Sequence, residues 1–413
     1  MDRTSQPPFH KSLAFNLPTP EKISHGSGDI FYLPSDVSKT VKIEFVFEAG
    51  RLYEPLPGIA QFTTQLLDKG IPGKNANQIA NFLDYYGAHV EISTGFDFAS
   101  IALYTLRKNV KFLLPLLISI ISKPKFPEKE LSSHQKIFAE NLKVNLEKNS
   151  FIASNLIRKN IFKNHPYGKS IQLNDIGKIE VAHIKSFFNQ YFQPYKIFII
   201  GRIEDSDLGF LLKNVEPISK NVRNNNFAFH SPSPFKEIQK GPNQIQTSIK
   251  LGKRTIHRTH PDASGLFIAN HILGGYFGSR LMKNIREEKG LTYGIHSSVQ
   301  NLLQTTSLTI TADVNSEKLE IAMAEIQKEI QSLPKIEERE LEITKNHLIG
   351  NFQNDVTNIF AVGEKIKTIV LSNLSFDYYQ KLINEINQID LNAVSQICSK
   401  HFNVEEFYGV IVK

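Results

Sequence analysis

The strongest constraint on this chain is that it repeats itself. The segment IGKIEVAHIKSFFNQYFQPYKIFIIG at 176–201 returns as INQIDLNAVSQICSKHFNVEEFYGVI at 386–411, 210 residues later. In that register Ile179 pairs with Ile389, Glu180 with Asp390, Val181 with Leu391, Ile184 with Val394 and Phe192 with Phe402. Upstream, FPEKELSSHQKIFAENLKVNL matches LPKIEERELEITKNHLIGNF, placing Leu131 opposite Leu341. Farther upstream Gly87 faces Gly290 at an offset of 203. Such spacing is that of a duplicated domain rather than a short-period solenoid. A chain of 413 residues also exceeds what one ordinary core supports.

Each copy has the same grammar. Two alternating stretches, TGFDFASIALYTL and TTSLTITADV, carry the period-2 pattern of a sheet with a covered face. They follow shorter strand and helix signals and precede long helical runs, a further helix and a last β-rich strand. Adjacent strands with short connections imply antiparallel pairing, and separate helical runs imply a helical layer. The expected fold class is α+β, with two homologous domains, each an antiparallel sheet with helices on one side. The expected boundaries are an N-terminal extension at 1–25, a first domain at 26–205, a polar linker region at 206–243 and a second domain at 244–413.

Composition removes several function classes. The net charge is +7, from 48 basic and 41 acidic residues, and the lysines are scattered without interleaved aromatics. That pattern gives nucleic-acid binding little support. The only cysteine, Cys398, excludes an intramolecular disulfide and any cysteine metal cluster, and its apolar helical context reads as core. The first residues lack the apolar stretch of a signal peptide. The apolar run Phe112 to Ile121 is half the roughly 20 residues of a membrane span. No membrane and a cytoplasmic location are expected.

Chemistry-bearing residues gather at LGGYFGSRLMKNIREEKGLTYGIHSS, 273–298. Gly274 and Gly275 allow a tight or left-handed backbone. Ser279 to Lys289 reads as an amphipathic helix closed by a left-handed cap at Gly290, and a strand follows from Leu291. That turn carries Arg286 towards Tyr293. On local evidence an arginine on a charged helix face is solvated and a strand tyrosine is packing. Together they are also two donors able to hold a peptide carbonyl or its oxyanion. The histidine pair His257 and His260 lies before Pro261 in a polar loop, a poor setting for a metal site.

At this point the residues resemble a known family. HPDASGLFIANHILGGYFGSRLMKNIREEKGLTYGIHSS is similar to the second domain of insulinase/pitrilysin-type zinc metallopeptidases, which include mitochondrial processing peptidases. FEAGRLYEPLPGIAQFTTQLLDKG followed by YYGAHVEISTGFDFASIALYTL resembles their first domain. The departure is chemical. Where catalytic members carry H-x-x-E-H, this chain has Gln61, Phe62, Thr63, Thr64 and Gln65. Glutamines replace both histidine ligands and Thr64 the general-base glutamate, while the family's downstream glutamate ligand falls on or near Glu140.

Zinc sites want imidazole, thiolate or carboxylate, and catalytic ones three such ligands. Without the ion, water keeps a pKa near 15.7 and supplies no hydroxide. Gln61, Thr64 and Gln65 keep a polar helix face that either hydrogen-bonds a peptide or partner or is simply solvated. The resemblance implies a chain that binds no metal and pairs with a homologous, zinc-bearing subunit. Arg286 and Tyr293 would act there in trans on a peptide substrate, with Gly274, Gly275 and Ser279 lining the chamber. The alternative is a non-enzymatic peptide-binding or assembly scaffold of the same fold.

Overall fold

The computed structural model describes residues 15, 17–25, 28–192, 194–215, 227–229, 234 and 236–413. The strands are β1 (Glu21–His25), β2 (Gly28–Leu33), β3 (Thr40–Phe47), the short hairpin β4 (Gly70–Ile71) and β5 (Lys74–Asn75), β6 (His89–Thr94), β7 (Ala99–Leu106) and β8 (Pro194–Ile200). In the second half follow β9 (Lys236–Gln239), β10 (Gln246–Thr255), β11 (Thr292–Asn301), β12 (Thr306–Asn315) and β13 (Tyr408–Val412).

Two sheets result. The first runs β1-β2-β8-β3-β7-β6 and the second β11-β12-β10-β13-β9. Read from its other edge, the second repeats the first strand for strand apart from the added β1. Pairing is antiparallel except at β2–β8 and β9–β13, which are parallel. The expected all-antiparallel sheets are therefore mixed by one pair each. That pair joins the early strand of a domain to its last one, a connection long enough to carry the intervening helices.

Strand alternation builds two layers on each sheet. In the first, Ile30, Tyr32, Phe45, Phe47, Ile197 and Ile199 face the domain's own helices. Phe31, Leu33, Val46, Phe198 and Ile200 point the other way. That second face is not left to solvent. Helix Ile359–Leu371, from the other half of the chain, covers it with Val362, Ile366 and Val370.

The exchange is reciprocal. Helix Asn149–Ile161 lies across β10 and β13, packing Ala153, Ile157 and Ile161 on Tyr408, Val410 and Val412. The two crossing helices occupy equivalent positions, 149–161 and 359–371. Gly252 of β10 admits this close contact, since a Cβ there would stand 2.6 Å from Ile161 Cδ1. Asn149, at the helix start, donates through Nδ2 to the carbonyls of Asn243 and Gln246, each at 2.6 Å.

Polar groups fasten the same seam. Lys42 and Glu44 of β3 are buried and paired at 2.7 Å, and Lys367 from the crossing helix reaches Glu44 at 2.9 Å. Burial alone would lower the Lys42 pKa, but Glu44 and Glu364 outweigh it and hold the ammonium above its usual range. At the opposite end Asp97 accepts from the Tyr167 hydroxyl and from the Leu303 N–H, the latter at 3.1 Å.

The polar stretch expected as linker contains ordered parts. Helix Asp205–Asn214 buries Leu211 in the first core, and β9 completes the second sheet. Most of the 1–25 extension lies outside the described residues. Cys398 is buried in the second core, where desolvation pushes its thiol up to about 12. Among the described residues no helix is long and apolar enough to cross a membrane.

Candidate functional site

The 273–298 segment departs from a plain helix. After a widened, π-helical turn at His271–Gly275, a second occupies Met282–Glu288 and contains Arg286. It closes with Lys289 N–H on Asn284 O at 3.1 Å and Leu291 N–H on Ile285 O at 2.9 Å. Gly290 takes a φ of +59°, the left-handed cap expected of it. The expected α-helix is therefore a π turn, a form frequent where a side chain must be re-aimed.

Gly274 and Gly275 are not left-handed. A Cβ on Gly274 would stand 2.6 Å from the Ser297 backbone nitrogen, and one on Gly275 2.6 Å from His271 Nδ1. Close approach to β11 and to the preceding turn is the reason for glycine. Gly274 is buried, and Ser279 is 1% exposed with no partner for its hydroxyl among the described residues. Both are thus covered within this chain, and Gly275 alone of the three is exposed.

Arg286 and Tyr293 are placed differently. The register of β11 against β12 slips between Thr292 and Ile295, a bulge that turns Tyr293 outward. The Thr292 hydroxyl holds the bulge, donating to Asp313 O at 2.7 Å and accepting from Gly294 N–H at 3.2 Å. Tyr293 is left 95% exposed. The Arg286 guanidinium stands 4.8 Å from the ring of Phe277, itself 61% exposed. Among the described residues neither Arg286 nor Tyr293 makes a side-chain hydrogen bond or ion pair; Tyr293 is open to solvent and Arg286 is half-buried against Phe277.

The other candidate position is helix Ile59–Gln65. Thr64 is buried, and its hydroxyl donates to the Ala60 carbonyl one turn back at 2.6 Å. The polar face expected from Gln61, Thr64 and Gln65 thus reduces to the two partly exposed glutamines. Glu140 points to solvent and pairs with Lys143 at 2.8 Å. Its neighbour Asn141 is the residue that shares a cavity with Gln61. Two glutamine amides and an asparagine are no zinc ligand set, and no group of three or more His, Cys, Asp or Glu among the described residues could hold a metal. His257 and His260 form loop contacts instead, to Thr259 Oγ1 and Asp262 N–H.

The cavity beside Gln61 contains residues that local motif reading missed. Arg51 and Glu54 precede the helix, while Arg158 and Lys169 come from about 100 residues downstream. Glu54 accepts the Ala60 N–H at 3.1 Å, and its burial pushes the carboxyl up to about 7 despite this and the Gly58 N–H. Only the fold brings these charges together.

Two α+β halves of matching topology, with amides at Gln61 and Gln65 and two unengaged donors on the second half, make a peptidase-like architecture with no metal-ligating cluster among the described residues. Family comparison gives the same class. Residues 31–174 match the family model described as "Insulinase (Peptidase family M16)", and 178–348 match "Peptidase M16 inactive domain". The chain belongs to the insulinase family, peptidase family M16.

Relatives include an uncharacterized zinc protease of Bacillus subtilis, YmxG, 23% identical over 86% of this chain and 88% of the relative. A protein of Helicobacter pylori named as a non-peptidase homolog is 22% identical over 86% and 84%. Among solved structures, a peptidase M16 inactive domain from Pseudomonas fluorescens superposes with a TM-score of 0.88, at 22% identity over 96% of this chain and 98% of that one. A protease from Helicobacter pylori gives 0.84, at 17% identity over 96% and 100%. At such identities the structures speak for the fold.

Proposed function

We propose that this chain is the non-zinc subunit of a two-chain peptidase, contributing Arg286 and Tyr293 to a partner that carries the metal. The observation that carries this reading is that neither donor is engaged by a hydrogen bond or ion pair among the described residues, with Tyr293 95% exposed on the bulge of β11. A guanidinium and a phenol so placed suit the carbonyl oxygen of a bound peptide. They become worth more when negative charge develops there, because they need no reorganisation and sit where a partner would exclude water. Phe277 holds the guanidinium from one side and leaves its N–H edges open.

The partner would be a homologous chain with an intact H-x-x-E-H, and the substrate an unstructured peptide. The single cysteine is consistent with a cytoplasmic setting. The test is reconstitution with such a chain and a peptide-cleavage assay. Arg286→Ala is expected to lower turnover roughly 10²–10³-fold while the pair still forms on size exclusion. Retained activity would sink the transition-state role. The name of the Helicobacter pylori relative favours a second reading, a scaffold without catalysis, in which Arg286→Ala would change nothing but peptide affinity.

A further inference from the structure

The cavity between Gln61 and the 158–171 segment holds about 290 Å³ and has an unusual charge balance. Three cations border it, Arg51, Arg158 and Lys169. Among the described residues none of the three forms a salt bridge, although Arg51 and Lys169 are near enough to Glu54 to pull on its carboxyl. Arg158 gives its Nη2 to neutral acceptors, Asn155 Oδ1 at 2.9 Å and Ser170 Oγ at 2.6 Å, and its Nε is buried without a partner. Arg51 and Arg158 flank one ring, their guanidinium carbons 5.4 and 5.7 Å from the centre of Phe96, which fixes both on the same side of the cavity.

The one acid present, Glu54, offsets at most one of the three charges. Glu54 turns to the start of the Ile59–Gln65 helix and accepts backbone N–H groups there. Crowding of Arg51 on Arg158 adds to the burial that lowers the Arg158 pKa to about 10. Neutral amide donors from Gln61, Asn141 and Asn145 complete the wall. Three cations held near one another in a partly desolvated recess, with a single carboxylate among them that burial pushes towards its neutral form, are stabilised by an incoming anion. Planar guanidinium forks suit a planar carboxylate. The volume suits a carboxylate with one or two residues behind it.

We propose that this cavity, bordered by Gln61, is a binding site for a peptide carboxylate. The site belongs to the isolated chain and does not depend on the proposed pairing, so its test is run without a partner subunit.

Binding is measured by calorimetry at low salt with the full chain and three peptides of one neutral sequence. One has a free C-terminus, one is amidated, and one is amidated with a single internal Asp. The free acid, the Asp peptide or both are expected to bind at least roughly tenfold more tightly than the neutral amide. Whichever binds identifies terminus or side chain as the source. Lys169→Gln, on the exposed rim, and Arg51→Gln are each expected to weaken that binding roughly tenfold, and Glu54→Gln to strengthen it. Arg158→Gln is read only where its circular-dichroism melt matches the parent, and Lys169→Gln carries the test otherwise. Equal affinity for acid and amide, no saturable binding of any peptide, or indifference to Lys169→Gln and Arg51→Gln overturns the proposal.

Discussion

Glu54 shows how a single side chain reports on its surroundings. Its carboxyl is raised from 4.5 to about 7 by burial, against the pull of Gly58 and Ala60 N–H groups and of Arg51 and Lys169. A raised carboxyl pKa means that the folded state holds a proton the unfolded state has released. Between about pH 4.5 and 7 stability therefore falls as pH rises, the reverse of an ion-paired carboxylate. Glu54→Gln keeps an acceptor for the Ala60 N–H and removes the titration. Urea midpoints taken across pH 4–8 should lose that slope. At pH 8 the variant should gain stability, with an upper bound on the order of 3 kcal/mol. An unchanged slope would show that Glu54 is ionised and solvated in the folded protein. At the same scale, Thr64 illustrates why a helix-face argument fell short. Spacing placed it beside the two glutamines, yet its hydroxyl is satisfied by its own helix and the side chain is buried.

At the scale of elements, glycine has two distinct uses, and they predict different costs. Gly87 and Gly290 each sit at φ +59° with open space around the missing Cβ. Alanine there bears only the left-handed backbone penalty, roughly 1–2 kcal/mol. Gly274→Ala drives a methyl into the Ser297 backbone and the Leu281 side chain, so β11 must shift. That change is expected to cost about 1–3 kcal/mol and to disturb the strand bearing Tyr293. Denaturant midpoints for the three variants should rank Gly274→Ala as worst.

The same elements mark the limit of what the sequence discloses. Gly290 was legible as a helix cap because a cap is a local demand, and Gly87 was legible as its counterpart in the repeat. The alternating patterns gave the strand pairs β6–β7 and β11–β12 for the same reason. The parallel edge pairs, the π turn around Arg286 and the bulge at Tyr293 were not legible, since each depends on contacts distant in sequence. In the candidate site, motif spacing brought Arg286 and Tyr293 into view. The Arg51, Arg158 and Lys169 cluster carried no motif at all.

At the scale of the whole molecule, the two halves share their cores. Each sheet has one face closed by a helix belonging to the other half, at 149–161 and 359–371. Stability is therefore expected to be a property of the pair. Ile366→Ala, at a residue 2% exposed beneath the first sheet's outer face, should cost about 2–5 kcal/mol. It should move a single calorimetric transition. Two separable transitions, with only one displaced, would show that the crossing helices do not couple the halves.

This arrangement has a consequence for synthesis on the ribosome. The strands β2, β3 and β8 have all emerged by residue 200, but the helix that shields Phe31, Phe198 and Ile200 begins at residue 359. At about 5–20 residues per second the nascent chain carries that greasy surface bare for roughly 8–30 s. A protein made in this order depends on a holding chaperone, or on rapid completion of the chain, more than its finished surface would suggest.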